Sequence, residues 1–119
     1  MAVQKRTLNK GVTAESRMQV AGFDWDEANR SKCQKDGVSP AEIEDIFRRP
    51  IAVVPDPLHS KSEERFKAIG RTAEGRGIFV VFTFRTRRGK RLIRPISARR
   101  MHKREMKHYE KETATFQKR

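Results

Sequence analysis

Residues 1–21 show neither the helical nor the strand period of apolar positions, and Gly11 and Gly22 interrupt the stretch. With no face to bury, residues 1–22 are expected to form a flexible N-terminal extension. Apolar character starts at Phe23 and Trp25, which alternate with Asp24 as in a brief strand. Asp26 can cap a first helix, Glu27 suits its first turn and Gly37 supplies the stop. The apolar face of that helix is thin, little more than Ala28 and Cys33. Ser39-Pro40-Ala41-Glu42 marks a second helix, with a capping box and proline at the first helical position. Ala41, Ile43, Ile46 and Phe47 supply its apolar side, and Arg48, Arg49 and Pro50 end it.

Beyond Pro50 the period shortens. Ile51-Ala52-Val53-Val54 is a strand-like run stopped by Pro55 and Pro57, and a second strand follows around residues 65–69. After turn chemistry at Glu74-Gly75-Arg76-Gly77 comes the longest apolar run, residues 78–84. β-Branched and aromatic residues with hardly a charge suit a central strand buried on both faces. Arg87-Arg88-Gly89-Lys90 turns the chain into Leu92-Ile93-Arg94-Pro95-Ile96, where Pro95 demands an edge or a bulge. Ser97 is read as opening a last helix through about Glu112, with Ala98, Met101, His102, Glu105, Met106 and Tyr109 on one face. The expected fold is therefore α+β: two N-terminal helices, a four-stranded antiparallel sheet and a C-terminal helix. Residues 23–112 form the folded domain, and residues 113–119 a frayed tail.

Length and charge narrow the function. A chain of 119 residues buries one modest core. No apolar run is long enough to span a bilayer and the start lacks the apolar stretch of a secretion signal, so a cytoplasmic location and no membrane partner are expected. Cys33 is the single cysteine, assigned a structural role, and His59, His102 and His108 lack paired metal-ligand spacing, so neither a metal nor another cofactor is expected. The net charge of +13 is unevenly spread. Residues 85–119 hold fourteen Lys and Arg against three acidic residues, whereas residues 23–84 hold ten against eleven. A basic third of this kind attracts phosphate polymers, and an acidic protein partner satisfies the same field.

Phe23-Asp24-Trp25-Asp26-Glu27-Ala28-Asn29, Lys35-x-Gly37-Val38-Ser39, Glu63-Glu64-Arg65-Phe66, Ile69-Gly70 and Ile93-Arg94-Pro95-Ile96-Ser97-Ala98-Arg99, continued through Glu105 and Tyr109, form a connected pattern. Over about residues 23–110 it resembles the BrnT toxin family of type II toxin–antitoxin systems. The resemblance implies a RelE-like ribonuclease fold and RNA cleavage without a metal. It also implies a BrnA-type ribbon-helix-helix antitoxin, with a toxin–antitoxin heterotetramer as one assembly. Family members commonly read Lys-His-Gly where this chain has Lys35-Asp36-Gly37, and residues 1–22 exceed the usual family start.

Metal-free RNA cleavage needs a base for the 2′-hydroxyl, an acid for the leaving 5′-oxygen and cations for the charge developing on the phosphoryl oxygens. The chain offers Arg65, Arg85, Arg94 and Arg99 on or beside its expected strands, and a guanidinium fork fits phosphate oxygens. Proton carriers are sought among His59, His102, Tyr109, Lys61, Glu63 and Glu64, without a choice between them. Arg87, Arg88, Lys90, Arg91, Lys103 and Lys107 are candidate RNA contacts. Each has a plain structural alternative: strand-surface charge for the arginines, solvent exposure for His59, core packing for Trp25 and Tyr109, and a buried arginine partner for Glu105. Three functions compete: a toxin ribonuclease, a non-catalytic nucleic-acid-binding module, and an inactive toxin-like protein-binding partner. The absence of a recognisable helix-turn-helix, zinc finger or RNP-type aromatic pair disfavours the second.

Overall fold

The computed structural model describes residues 18–117, apart from the side chains of His59 and residues 112–117. Capping chemistry sets both N-terminal helices. Helix α1, Glu27–Gln34, starts where Asp26 accepts the Asn29 N–H at 3.0 Å and the Asn29 side chain accepts the Asp26 N–H at 2.7 Å. Its buried side chains are Asn29 and Cys33, one turn apart, while Ala28, expected on the inner face, is exposed. The Asn29 amide donates to the carbonyls of Asp24 and Pro95, so a polar side chain docks this thin helix on the sheet. Helix α2, Pro40–Phe47, begins with the Ser39–Glu42 capping box and buries Ile43, Ile46 and Phe47; Ala41 faces outward.

The sheet has five strands in the order β1-β5-β4-β3-β2. They are β1 Gly22–Phe23, β2 Ala52–Pro55, β3 Phe66–Arg71, β4 Gly77–Arg87 and β5 Lys90–Arg100, with a 3₁₀ turn at Pro57–His59. The expected four-stranded antiparallel meander is thus corrected to a mixed five-stranded sheet. The brief strand at Phe23 joins it by pairing parallel to Leu92 and Ile93 of β5. Strands β4 and β5 are closed by a two-residue turn in which Arg88 and Gly89 both have positive φ, 53° and 75°. That is the type I′ geometry, which follows the twist of the flanking strands.

Pro95 sits at a bulge. Val81 faces Ser97 and Phe82 faces Pro95, so Ile96 is the extra residue. The second correction follows from it. Strand β5 does not stop at Ser97 but pairs on to Arg100, and helix α3 starts six residues later than expected, spanning Lys103–Gln117. After the bulge, alternation resumes with Ala98 directed at Val80 in the core, and ladder pairing to Ile78–Val81 overrides the helical spacing of Ala98, Met101 and Met106.

One face of the sheet carries the main core. Ile78, Val80, Phe82, Ile93 and Ala98 meet Cys33, Ile43, Ile46 and Phe47 of the two helices, with Trp25, Met18 and Val20 packed against them. Phe47 and Phe82 stack edge-on at 5.1 Å between centroids. Burial pushes the Cys33 thiol up to about 11, as suits a packing residue. Among the described residues the opposite face is covered at one end, where Met106 and Tyr109 of α3 pack with Met101, Ile69 and Phe79, and at Thr83, beneath the 60–65 segment. The run 78–84 is central as expected, but its second face is only partly covered. No helix among the described residues is long and apolar enough to cross a membrane.

Candidate functional site

Strand alternation puts Phe79, Val81, Thr83 and Arg85 of β4 on the face opposite the main core, with Lys67 of β3 beside Val81, and Leu92, Arg94, Ser97 and Arg99 of β5 across from them. Beyond Phe79, where α3 ends its cover, this is a shallow floor, open among the described residues at Lys67, Val81 and Ser97 but covered at Thr83 by the 60–65 segment, and flanked by charged side chains. It gathers some of the anticipated arginines and separates others.

Arg85 and Arg65 converge on one carboxylate. Glu63 gives Oε1 to Arg85 Nη1 and Oε2 to Arg65 Nη2, the latter at 3.4 Å. Arg65 stands just before β3; its N–H donates to Ser60 Oγ at 2.8 Å and its carbonyl accepts the Asp56 N–H at 2.9 Å. Its Nε is buried with no hydrogen-bond partner among the described residues. Thr83, buried beneath, donates its hydroxyl to the Glu64 carbonyl at 2.7 Å and so ties the 60–65 segment over the floor. The Arg85 hydrogen bond holds the Glu63 carboxyl below the usual carboxylate value, against a smaller upward push from burial.

Arg94 is a diagonal neighbour of Arg85 on the same face, since Arg85 lies directly opposite Leu92. Its side chain is only 14% exposed and is spent on Asp24 at 3.5 Å and Asp26 at 3.0 Å. Asp24 also takes Arg87 at 3.0 Å. Two cations and two carboxylates cancel there, and Arg94 clamps the start of α1 to β5.

Arg99 stands apart. It lies opposite Phe79, four residues along β4 from Thr83, or about 13 Å away. It is in β5 and not, as expected, in the first turn of the helix. Its guanidinium lies over the Phe79 ring at 4.8 Å and grips Glu105 with two hydrogen bonds of 3.2 and 3.1 Å. The pairing of an arginine with Glu105 was anticipated, but not its setting. Because α3 starts at Lys103, Glu105 falls in the first turn, accepts the His102 N–H at 3.1 Å and is 34% exposed instead of buried mid-face. Tyr109 packs in the same end cluster, beside Phe79 and Ile69, away from Arg65 and Arg85. The His59 side chain lies outside the described residues, and His102 is exposed at the start of α3.

The anticipated RNA contacts fall at two ends of the sheet. Arg87, Arg88, Lys90 and Arg91 surround the β4–β5 turn, whereas Lys103 and Lys107 lie exposed on α3, at the other end of an 11-residue strand about 36 Å long. Arg91 is already engaged, lying over Phe84 at 3.7 Å and donating to the Met18 carbonyl at 3.1 Å. Trp25 is a core residue whose Nε1 donates to Glu44 at 2.8 Å.

Lys67 is the residue that the sequence reading missed. It points to the open floor between Val54 and Val81, and its ammonium has no ion pair among the described residues. The alternation Phe66-Lys67-Ala68, with both apolar neighbours facing the core, was the available signal. Asp24 and Asp26 as counter-charges of Arg94 were also missed, because they are joined to it only by the fold.

The family model described as "Ribonuclease toxin, BrnT, of type II toxin-antitoxin system" matches residues 25–105, from the entry to α1 through the first turn of α3. No match to a curated protein was found.

Proposed function

The chain belongs to the BrnT family of ribonuclease toxins of type II toxin–antitoxin systems, and on that premise we propose that it cleaves RNA on the open floor of its sheet. The observation that carries this reading is the pair Arg65 and Arg85 sharing Glu63, with Lys67, which has no ion pair among the described residues, two residues on from Arg65. A phosphate entering between the two guanidiniums competes with Glu63 for the same forks. Once released, the carboxylate loses the hydrogen bond that depresses its pKa and becomes a stronger base. It then takes the proton of the adjacent 2′-hydroxyl. The 2′-oxygen bonds to phosphorus, the bond to the 5′-oxygen breaks, and Lys67 protonates that leaving oxygen. Arg65 and Arg85 hold the charge on the non-bridging oxygens, the task a metal would otherwise perform. Arg94 and Arg99 are positioning residues in this scheme, and Tyr109 supports α3.

Membership of a toxin–antitoxin family implies a protein antitoxin. We take it to be a BrnA-type ribbon-helix-helix protein that neutralises the toxin in the cytoplasm within a heterotetramer. Asp36, where the family commonly has histidine, lies exposed in the α1–α2 connection, on the side of the sheet away from Glu63. The departure therefore leaves the Arg65–Glu63–Arg85 group intact.

The test is cleavage of a single-stranded RNA by purified protein with a chelator present. Wild type should cleave, Arg85→Ala should lose roughly 10²–10³-fold, and Glu63→Gln roughly 10²–10⁴-fold while still binding RNA. A folded wild type that neither cleaves RNA nor arrests growth when induced alone would favour the inactive protein-binding partner.

A further inference from the structure

A cavity of about 260 Å³ opens where β3 ends and β4 begins, against the start of α3. Arg71, Gly75, Arg76, Gly77, Arg100 and Lys103 surround it, and Met101 and Met106 form its apolar wall. A Cβ at Gly77 would overlap the Met106 side chain, so the smallest residue is needed for that wall to stand where it does. We propose that this cavity binds one nucleotide of the RNA strand, at a distance from the reacting phosphate; the inference deepens the ribonuclease reading and rests on it for the identity of the strand.

Charge is the first argument. Arg71 is paired with Glu110, and Arg76 and Arg100 share the single carboxylate of Glu42 at 3.1 and 3.5 Å. Lys103 has no ion pair among the described residues. Four cations thus meet two carboxylates, a surplus that fits a phosphate. Arg71 already gives its fork to Glu110 and Nη1 to the Gly75 carbonyl, and Arg100 gives Nη2 to the Gly37 carbonyl, so Lys103 and Arg76 are the cations placed to meet that phosphate. Size and wall chemistry are the second argument. The cavity falls just short of the roughly 300–1,000 Å³ of pockets that hold drug-sized ligands. That suits one base with its phosphate, and is too little for a helix or two stacked bases. Two methionine side chains give a polarizable, adaptable surface on which the flat face of a base can lie. Position is the third. Gly77 opens β4, and Val81, beside Lys67, lies four residues further along, about 13 Å. A nucleotide in the cavity therefore lies about 13 Å along β4 from a phosphate at Lys67, with Phe79, covered by Arg99 and α3, between them. Separate anchoring of a second nucleotide would set the direction of the strand and contribute to the choice of base.

The experiment is a nitrogen-15 NMR titration of the full chain with adenosine monophosphate, with inorganic phosphate and with adenosine. The monophosphate should shift the amides of residues 75–77 and 100–106 at lower concentration than either fragment. Lys103→Glu, at an exposed helix start where an acidic residue is tolerated, should weaken the monophosphate about tenfold, and Arg76→Ala should weaken it in the same direction. On a long RNA, Lys103→Glu should raise KM by more than it lowers kcat. Shifts confined to the floor around Lys67 and Arg85, phosphate binding as tightly as the monophosphate, or two variants that bind like wild type would each overturn the proposal. Should wild type bind the monophosphate in the cavity but cleave no RNA, the ribonuclease reading fails and the nucleotide site stands.

Discussion

Three arginines of the second sheet face have three different occupations, and burial separates them. Arg94 is 14% exposed and bridges two aspartates, whereas Arg99 is 45% exposed and holds one half-exposed glutamate. Hydrogen bonds to charged groups are worth about 1.5–3 kcal/mol when their loss strands a desolvated partner, and an exposed ion pair contributes about 0–1 kcal/mol. Arg94→Ala should therefore lower stability by about 2 kcal/mol, and Arg99→Ala by about 1 kcal/mol including its place over Phe79. Each kcal/mol corresponds to roughly 4–8 °C in melting temperature for a domain near this size, so thermal unfolding resolves the two. Equal losses would mean that the Asp24–Arg94–Asp26 clamp contributes nothing beyond a surface pair. Arg85→Ala should lower stability by about 1 kcal/mol, no more than the half-exposed Arg99 pair, while losing cleavage roughly 10²–10³-fold, which separates a chemical arginine from a structural one.

At the scale of elements, the β4–β5 hairpin carries a local cost. Arg88 adopts φ 53° in the type I′ turn, a region that asparagine and glycine enter more readily than arginine. Arg88→Asn should raise stability by about 0.5–1 kcal/mol, measured by chemical denaturation, and a loss would show that the arginine side chain secures the turn. Other elements were legible from local chemistry: the cap at Asp26, the capping box at Ser39, the apolar run of β4, and the break announced by Pro95. What was not legible depended on partners far along the chain. Strand β1 has two residues and finds its neighbours Leu92 and Ile93 some 70 positions away. The boundary between β5 and α3 is displaced because Ala98, Met101, Glu105 and Met106 fit a helical wheel, and Pro95 signals a bulge but not that the strand pairs on beyond it, with Ala98 redirected into the core. The same boundary carried Arg99 and Glu105 to unexpected settings. Glu63 stood among six possible proton carriers until β4 brought Arg85 against it.

At the scale of the whole molecule, charge governs both stability and binding. Glu63, Glu105, Glu110, Glu42 and Asp26 all have lowered pKa values. For the first three, a hydrogen bond from an arginine is the largest cause. For Glu42, burial raises the value, and the Ser39 N–H with Arg100 and Arg76 more than offsets it; for Asp26 the Asn29 N–H leads. A carboxylate depressed in the folded state contributes stability above its unfolded value, and that contribution is lost as pH falls through the folded one. Stability should hold from neutral pH down to about 5 and decline below about 4.5, and a decline already under way at pH 6 would assign it to histidines instead. Above that range the net charge of +13 sets how RNA binding answers to salt. Each phosphate neutralised on a single strand contributes about −0.7 to the slope of log affinity against log salt. The cations are not equivalent. Arg87 already holds Asp24 and Arg91 lies on Phe84, whereas Arg88 and Lys90 at the turn, and Lys103 and Lys107 on α3, are exposed without an ion pair among the described residues. Replacing Arg88 and Lys90 by glutamine should flatten the slope by about 1.4 if both contact phosphates. The pair Lys103 and Lys107 should flatten it by a similar amount, and Arg94→Gln should leave it unchanged because two aspartates already neutralise that guanidinium. Binding isotherms at four or five salt concentrations measure these slopes. If only the α3 pair flattens the slope, the strand is held at the end of the sheet near the cavity and not along its full length; if only the turn pair does, RNA approaches from the opposite end and the cavity at Gly77 takes no part in holding it.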